Sequence, residues 1–258
     1  MDAQRNWINV TTLGDLIDQR AAEQPDHEAV VFPDQRYTYA DLAARAHAVS
    51  KGLVALGVGA GDRVGYFLHE SIDTLATLLG AAKIGAITAP LNARFKSVEL
   101  SQVVVHCGMK VVFTARPAGG TDFVGLLHET FPELASADAT NLQLVDAPEL
   151  KHVVVLDQEG APGMLSATEF HAGGAEVSDD AVRHRQEAVR VRDTAVIMYT
   201  SGTTAMPKGA MLSHEAFVRF ADSTVNDRMP ITSEDKVWTA LPLFHIGGVA
   251  FAIGTLYA

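Results

Sequence analysis

The chain has 258 residues, of which 48% are apolar, with 20 Lys and Arg against 31 Asp and Glu, a formal charge of −11 and a single cysteine. That apolar content is ample for the core of one large domain or two smaller ones, whereas the acidity repels nucleic acid and anionic membrane outside a local basic patch, and the sequence contains none. One cysteine excludes an intramolecular disulfide and fits a reducing compartment, and no run reaches the roughly 18 apolar residues needed to span a bilayer. The first seven residues lack a signal-peptide apolar core, so cytoplasm is the expected location; peripheral membrane contact stays open.

Thr12 and Asp15 read as a capping box, with Leu13, Leu16, Ile17 and Ala21 following at helical spacing. Residues 29–32 and 36–39 flank Pro33-Asp34 as a hairpin. Thr38 and Asp41 then cap a helix with Leu42, Ala46, Val49, Leu53 and Leu56 on one face, and Gly57 supplies its stop. Residues 64–68, 87–89 and 111–114 are short strands separated by helices over 72–84 and 98–107. This alternation predicts an α/β fold, doubly wound and largely parallel, with flanking helices. Residues 117–150 are patterned less regularly and read as a variable connection. A strand at 152–156 leads into an acidic, Gly-containing segment through Asp180. A junction between residues 158 and 192 divides the expected subdomains, 1–175 and 176–258. No internal repeat or low-complexity tract is present.

The apolar strand at 195–199 runs into Thr200-Ser201-Gly202-Thr203-Thr204-Ala205-Met206-Pro207-Lys208-Gly209. Small residues let backbone N–H groups approach phosphate oxygens, hydroxyls add further hydrogen bonds, and the lysine adds a point charge, so the sequence suits a nucleoside triphosphate. Strand-to-helix turns are also rich in Ser, Thr and Gly, but a generic turn does not require this order. It is not the Walker loop of P-loop NTPases, in which Gly precedes the lysine and Ser or Thr follows it; here Pro207 precedes and Gly209 follows.

From Tyr199 to Gly209 the chain resembles the superfamily of adenylate-forming enzymes, which includes acyl-CoA synthetases, luciferases and peptide-synthetase adenylation domains. The family signature Tyr-Thr-Ser-Gly-Thr-Thr-Gly-x-Pro-Lys-Gly is matched at every specified position except Ala205. Leu241-Pro242-Leu243-Phe244-His245, followed by Ile246-Gly247-Gly248, resembles the next family motif. The stretches 36–42, 57–64 and 89–94 resemble segments of acyl-CoA ligases. The details are closest to fatty-acyl or related carboxylate–CoA ligases.

The resemblance implies part of the large N-terminal domain of an enzyme that joins a carboxylate to the α-phosphorus of ATP, releases pyrophosphate, and passes the acyl group to CoA with release of AMP. It further implies backbone and hydroxyl contacts to ATP from Thr200, Ser201, Gly202, Thr203, Thr204 and Gly209, and a Lys208 contact to the β/γ-phosphates. Thr203 is the candidate Mg²⁺ ligand, since magnesium takes few protein ligands beside phosphate and water. His245 is expected at the passage between acyl pocket and thiol entrance, with Phe244, Ile246 and Gly248 beside it; a packed pocket histidine is the rival reading.

Ala205 would cost on the order of 1 kcal/mol if the family glycine has positive φ, and almost nothing otherwise. His214 reads as a helix-start residue, Cys107 as a small buried hydrophobe, and Asp62, Arg63 and Arg94 as fold-stabilising charges. His106-Cys107 is insufficient for zinc, and no transition-metal site is predicted. The resemblance spans nearly the whole chain, which matches about the first half of the family pattern. The adenine and ribose segments, an acidic Mg²⁺ ligand, the hinge and a mobile domain with a catalytic lysine are expected beyond residue 258, so the chain alone is expected to be inactive or nearly so. The alternatives are a peptide-synthetase or luciferase-like adenylating protein, the former marked by a downstream carrier domain, and a truncated non-catalytic nucleotide-binding module, marked by ATP binding without turnover.

Overall fold

The computed structural model describes residues 11–116, 120–200 and 207–258. Helix α1, Leu13–Glu23, starts at Thr12, whose hydroxyl oxygen accepts the Asp15 N–H. Strands β1, Glu28–Phe32, and β2, Gln35–Thr38, form the antiparallel hairpin around Pro33-Asp34, with Phe32 opposite Gln35. Helix α2, Tyr39–Ala55, opens on a complete capping box between Thr38 and Asp41. Its chain turns away at Gly57, where φ is 73°, a value that glycine adopts without strain.

The central part alternates as the apolar pattern requires: β3 (Arg63–Phe67), α3 (Ile72–Lys83), β4 (Ile87–Pro90), α4 (Ser97–Cys107) and β5 (Met109–Thr114). After β5 come α5, Phe123–Thr130, a 3-10 turn at Pro132–Ser136, and β6, His152–Val155. The segment before the Gly-rich loop contains β7, Leu165–Ser166, and two helices, α6, Ala167–Ala175, and α7, Asp179–Ala188. Strands β8, Thr194–Tyr199, and β9, Gly209–Ser213, bracket the loop, and α8, His214–Ser223, a π-helical turn at Thr224–Arg228 and α9, Ile246–Tyr257, follow.

Seven strands make one sheet in the order β7-β6-β5-β3-β4-β8-β9. Every neighbouring pair is parallel except β8 and β9. The connection β3-α3-β4 leads one way along the sheet and β4-α4-β5 leads back past β3, the doubly wound pattern. In such sheets ligands gather beyond the carboxyl ends of the strands.

Side chains alternate between two cores. Val64 and Tyr66 of β3 join Leu42, Leu53, Leu78 and Phe170 on one face, whereas Phe67 joins Leu100, Phe123 and Val153 on the other. The expected division after residue 175 falls between α6 and α7, and strands from both sides of it lie in this single sheet.

Two polar contacts, one part-buried and one buried, lock the outer helices. The Lys83 ammonium on α3, 3% exposed, lies 2.5 and 2.6 Å from the two Asp18 carboxylate oxygens on α1. The Leu13 N–H at the start of α1 donates to Nδ1 of His214, 3.2 Å away. α1 thereby braces α8, which begins directly after β9.

Candidate functional site

The Gly-rich loop closes a β-hairpin. Tyr199 pairs with Gly209, and one residue further the Thr200 N–H donates to the Lys208 carbonyl at 3.0 Å, with the Thr200 hydroxyl 3.4 Å from the same oxygen. Thr200 and Lys208 are therefore drawn together as the two ends of the loop, and both are exposed. The expected contacts of Ser201, Gly202, Thr203 and Thr204, the Mg²⁺ role of Thr203 and the conformation of Ala205 lie outside the described residues. Gly209 has a packing reason: a Cβ there would sit 2.7 Å from Ile197 Cγ2 and 3.4 Å from Tyr199 Cζ. Since β8 runs parallel to β4 and β4 to β3, the two ends of the loop, Thr200 and Lys208, lie at the carboxyl edge of the parallel strands.

Tyr199 is anchored from α4. Its hydroxyl lies 2.8 Å from His106 Nδ1, with the two rings edge to face. Burial, followed by the neighbouring Cys107, pushes the Tyr199 phenol well above its ordinary pKa. Burial likewise pushes the Cys107 thiol up, which disfavours the reactive thiolate. His106 is thus a partner of the loop stem.

The second motif reaches the same edge. Tyr66, within β3, donates its hydroxyl to the Leu243 carbonyl at 2.6 Å, and Glu70, just beyond β3, accepts the Leu243 N–H at 3.3 Å. His245 closes a turn on the Pro242 carbonyl, 2.9 Å, and its Nδ1 accepts the Gly247 N–H at 3.4 Å as the N-cap of α9. The ring is exposed rather than packed, and in its neutral form the Nδ1 contact leaves the proton on Nε2. Phe244 is half-buried and Gly248 buried.

Gly248 permits the tight crossing of turn and helix. A Cβ at this position would overlap the Pro242 carbonyl oxygen and sit 2.6 Å from that of Leu241. These are backbone atoms and cannot swing aside, so Gly248→Ala is expected to destabilise the fold by about 1–3 kcal/mol. Urea denaturation of the variant checks this, and a midpoint equal to that of the parent would contradict it.

Beside the turn, Leu212, Phe217, Phe220, Ile246, Ala250 and Phe251 line a cavity of about 360 Å³ between β9, α8 and α9. All six are apolar, so the cavity suits a hydrocarbon or aryl group and offers nothing to a charge.

The remaining candidates have structural partners. Arg63 donates to the Cys107 and Gly108 carbonyls at 2.8 and 2.7 Å, completing the end of α4. Burial works against the Asp62 carboxylate, but the Lys110 ammonium at 2.8 Å and the Gly59 N–H hold its pKa below the ordinary carboxylate value. The Arg94 N–H donates to the Asn92 side chain in a turn. His214 is the first residue of α8, behind the Ser213 cap. Among the described residues no group of three or more His, Cys, Asp or Glu is placed to hold a metal ion. None of their helices is long and apolar enough to cross a membrane.

Comparison with known proteins bears on family and fold. A family model described as AMP-binding enzyme matches residues 17–258. The chain is 34% identical over 237 residues to the indoleacetate–CoA ligase of Aromatoleum aromaticum, covering 92% of this chain and 41% of that protein. It is 30% identical over 245 residues to the medium-chain acyl-CoA ligase ACSF2, mitochondrial, of Mus musculus, covering 92% and 40%. The inhibitor-bound N-terminal domain of FACL13 from Mycobacterium tuberculosis superposes with a TM-score of 0.72 at 27% identity, over 95% of this chain and 55% of that one. The chain spans well under half the length of the two curated relatives.

Proposed function

This chain belongs to the AMP-binding enzyme family, and from that premise we propose that it supplies the N-terminal part of an ATP-dependent carboxylate–CoA ligase acting on an acid with an apolar body, a fatty acid in the first instance. One observation carries the reading. The two ends of the loop, Thr200 and Lys208, and the His245 turn meet the same carboxyl edge of one sheet, with an all-apolar cavity beside the turn. Anionic phosphates at the loop and a hydrocarbon tail in the cavity are the two halves such a ligase must hold.

In the proposed reaction an oxygen of the acid attacks the α-phosphorus of ATP, and the bond to pyrophosphate breaks. The CoA thiol then attacks the acyl carbonyl, and AMP leaves. The substrate carboxylate is itself the nucleophile, so the protein contributes position and charge control. Lys208 balances the β/γ-phosphates, Thr200 and Gly209 frame the loop, and Ser201, Gly202, Thr203 and Thr204 supply its donors. The Thr203 hydroxyl would be the protein ligand of a Mg²⁺ ion, which would supply charge neutralisation at the phosphates. His245 borders the passage to the thiol. The subdomain division at 175/176 and a reducing, cytoplasmic location are parts of the same proposal.

The named substrates of the relatives, indoleacetate and medium-chain acyl groups, share a carboxylate on an apolar body, which agrees with the cavity. The test is acid-dependent ATP–pyrophosphate exchange by the complete protein across acetate, hexanoate, decanoate, palmitate, indoleacetate and succinate. Exchange is expected with the apolar acids and weakest with acetate and succinate. ATP binding without exchange on any acid would replace the ligase reading with that of a nucleotide-binding module.

A further inference from the structure

We propose that Tyr66 and Glu70 are positioning residues that set the path of the turn at 241–245 and hence the placement of His245; what that placement achieves rests on the ligase reading above. Both polar groups of one peptide residue are held by side chains from elsewhere. The Leu243 carbonyl accepts the Tyr66 hydroxyl at 2.6 Å, and the Leu243 N–H donates to Glu70 Oε1 at 3.3 Å. The two contacts have opposite polarity, so together they fix the direction of the peptide as well as its location.

The two side chains differ in mobility, and the difference matters. Tyr66 is 1% exposed and stands in the middle of the sheet, opposite Pro90 on β4 and Phe113 on β5. Its ring cannot follow a shifting turn. Its hydroxyl, buried and beside the Glu70 carboxylate, is held in the protonated form and so remains a donor. Glu70 is exposed and supplies the complementary acceptor.

Among the described residues, the other polar contacts of the turn are local, such as that of the His245 N–H with the Pro242 carbonyl. Pro242 has no N–H, and the Leu241 N–H goes to the neighbouring Thr239 hydroxyl. On the approach to the turn, Trp238 is 87% exposed and Leu241 is 43% exposed. Immediately after it, His245 caps α9, and Ile246 and Gly247 form a wall of the apolar cavity. A turn released at Leu243 would therefore displace the cap, the first turn of α9 and that wall together.

Amide hydrogen exchange on this chain tests the clamp without recourse to catalysis. Tyr66→Phe keeps the ring and loses the donor, Glu70→Ala loses the acceptor, and Glu70→Gln restores an acceptor oxygen. Tyr66→Phe and Glu70→Ala are expected to speed exchange across 241–249 by about 5- to 10-fold, the scale of one hydrogen bond, while β5 and α2 exchange at the parental rate. Glu70→Gln is expected to return the parental rate. Unchanged exchange at 241–249 in Glu70→Ala, an exposed site whose variant keeps its core, would overturn the proposal, as would Glu70→Gln behaving like Glu70→Ala.

In the complete protein, Glu70→Ala is expected to raise the KM for CoA about 5-fold, more than it alters kcat, with recovery in Glu70→Gln. A loosened turn with an unaltered KM would reduce the clamp to a structural contact and overturn the positioning role. If the complete parent protein shows no acid-dependent exchange, the ligase reading fails while the amide measurement still decides the clamp.

Discussion

Replacing Lys208 with Ala in the complete protein should lower acid-dependent ATP–pyrophosphate exchange by about 100-fold or more while leaving folding stability within about 0.5 kcal/mol. The two halves of that expectation come from different parts of the same residue. The Lys208 backbone closes the hairpin through its carbonyl, which accepts from Thr200, and this contact survives truncation to alanine. The side chain is exposed at the end of the loop, at the carboxyl edge of the parallel strands. Its removal takes a charge from the proposed phosphate site, yet opens no cavity. Lys208→Arg should recover only part of the rate, because a guanidinium fork and a point-charge ammonium meet phosphate with different geometry. Exchange kinetics together with a urea titration of each variant separate rate from fold. Parental exchange in a folded Lys208→Ala enzyme would remove Lys208 from the phosphate site.

Much of the fold is legible in the sequence because local chemistry and tertiary burial agree. Thr12 and Thr38 carry side-chain acceptors directly before apolar residues at helical spacing, and both begin helices. The strands at β3, β5 and β6 are short apolar runs because the sheet is covered on both faces. Helix α7 escapes such a reading because it is polar almost all round; Val182 is its one buried residue. Strand β9 escapes it for the opposite reason, being an edge strand that begins with glycine and keeps its first three residues exposed. The motif at 199–209 therefore raises the expectation of a phosphate loop but gives no sign of the antiparallel strand that brings its ends together. Its ends, Thr200 and Lys208, meet only once β9 pairs with β8.

The contacts that place the second motif are less legible still. Tyr66 and Glu70 precede Leu243 by 177 and 173 residues. In sequence, Tyr66 is one more aromatic residue in an apolar strand and Glu70 a surface charge. No local pattern connects either to His245. Cys107 shows the converse case: a lone cysteine at a helix end reads as a small buried hydrophobe, and its raised thiol pKa agrees.

His214 makes the stability of this fold pH-dependent above the range in which most carboxylates titrate. The residue is fully buried, its Nδ1 accepts the Leu13 N–H, and its Nε2 has no partner among the described residues. Burial depresses its pKa from 6.5 to about 4, against the opposing pull of Asp193 and Asp15. Protonation would put a second hydrogen opposite the Leu13 N–H and a charge in the joint between α1 and α8. Because the unfolded chain binds this proton more readily than the folded one, the contribution is fully present above pH 6.5 and is lost as pH falls toward 4, by about 3 kcal/mol in all and about 2 kcal/mol between pH 7 and 5. Burial also depresses His152 and His171, which adds loss of the same sign. The variant His214→Gln, whose amide oxygen can accept from Leu13, isolates the contribution of this one group. Its stability at pH 7 is expected to lie below that of the parent, and its loss between pH 7 and 5 to be smaller by about 2 kcal/mol. Urea titrations of both proteins at the two pH values make the comparison. If both proteins lose the same stability between pH 7 and 5, His214 is not the group that titrates, and the acid sensitivity of the joint between α1 and α8 must arise elsewhere.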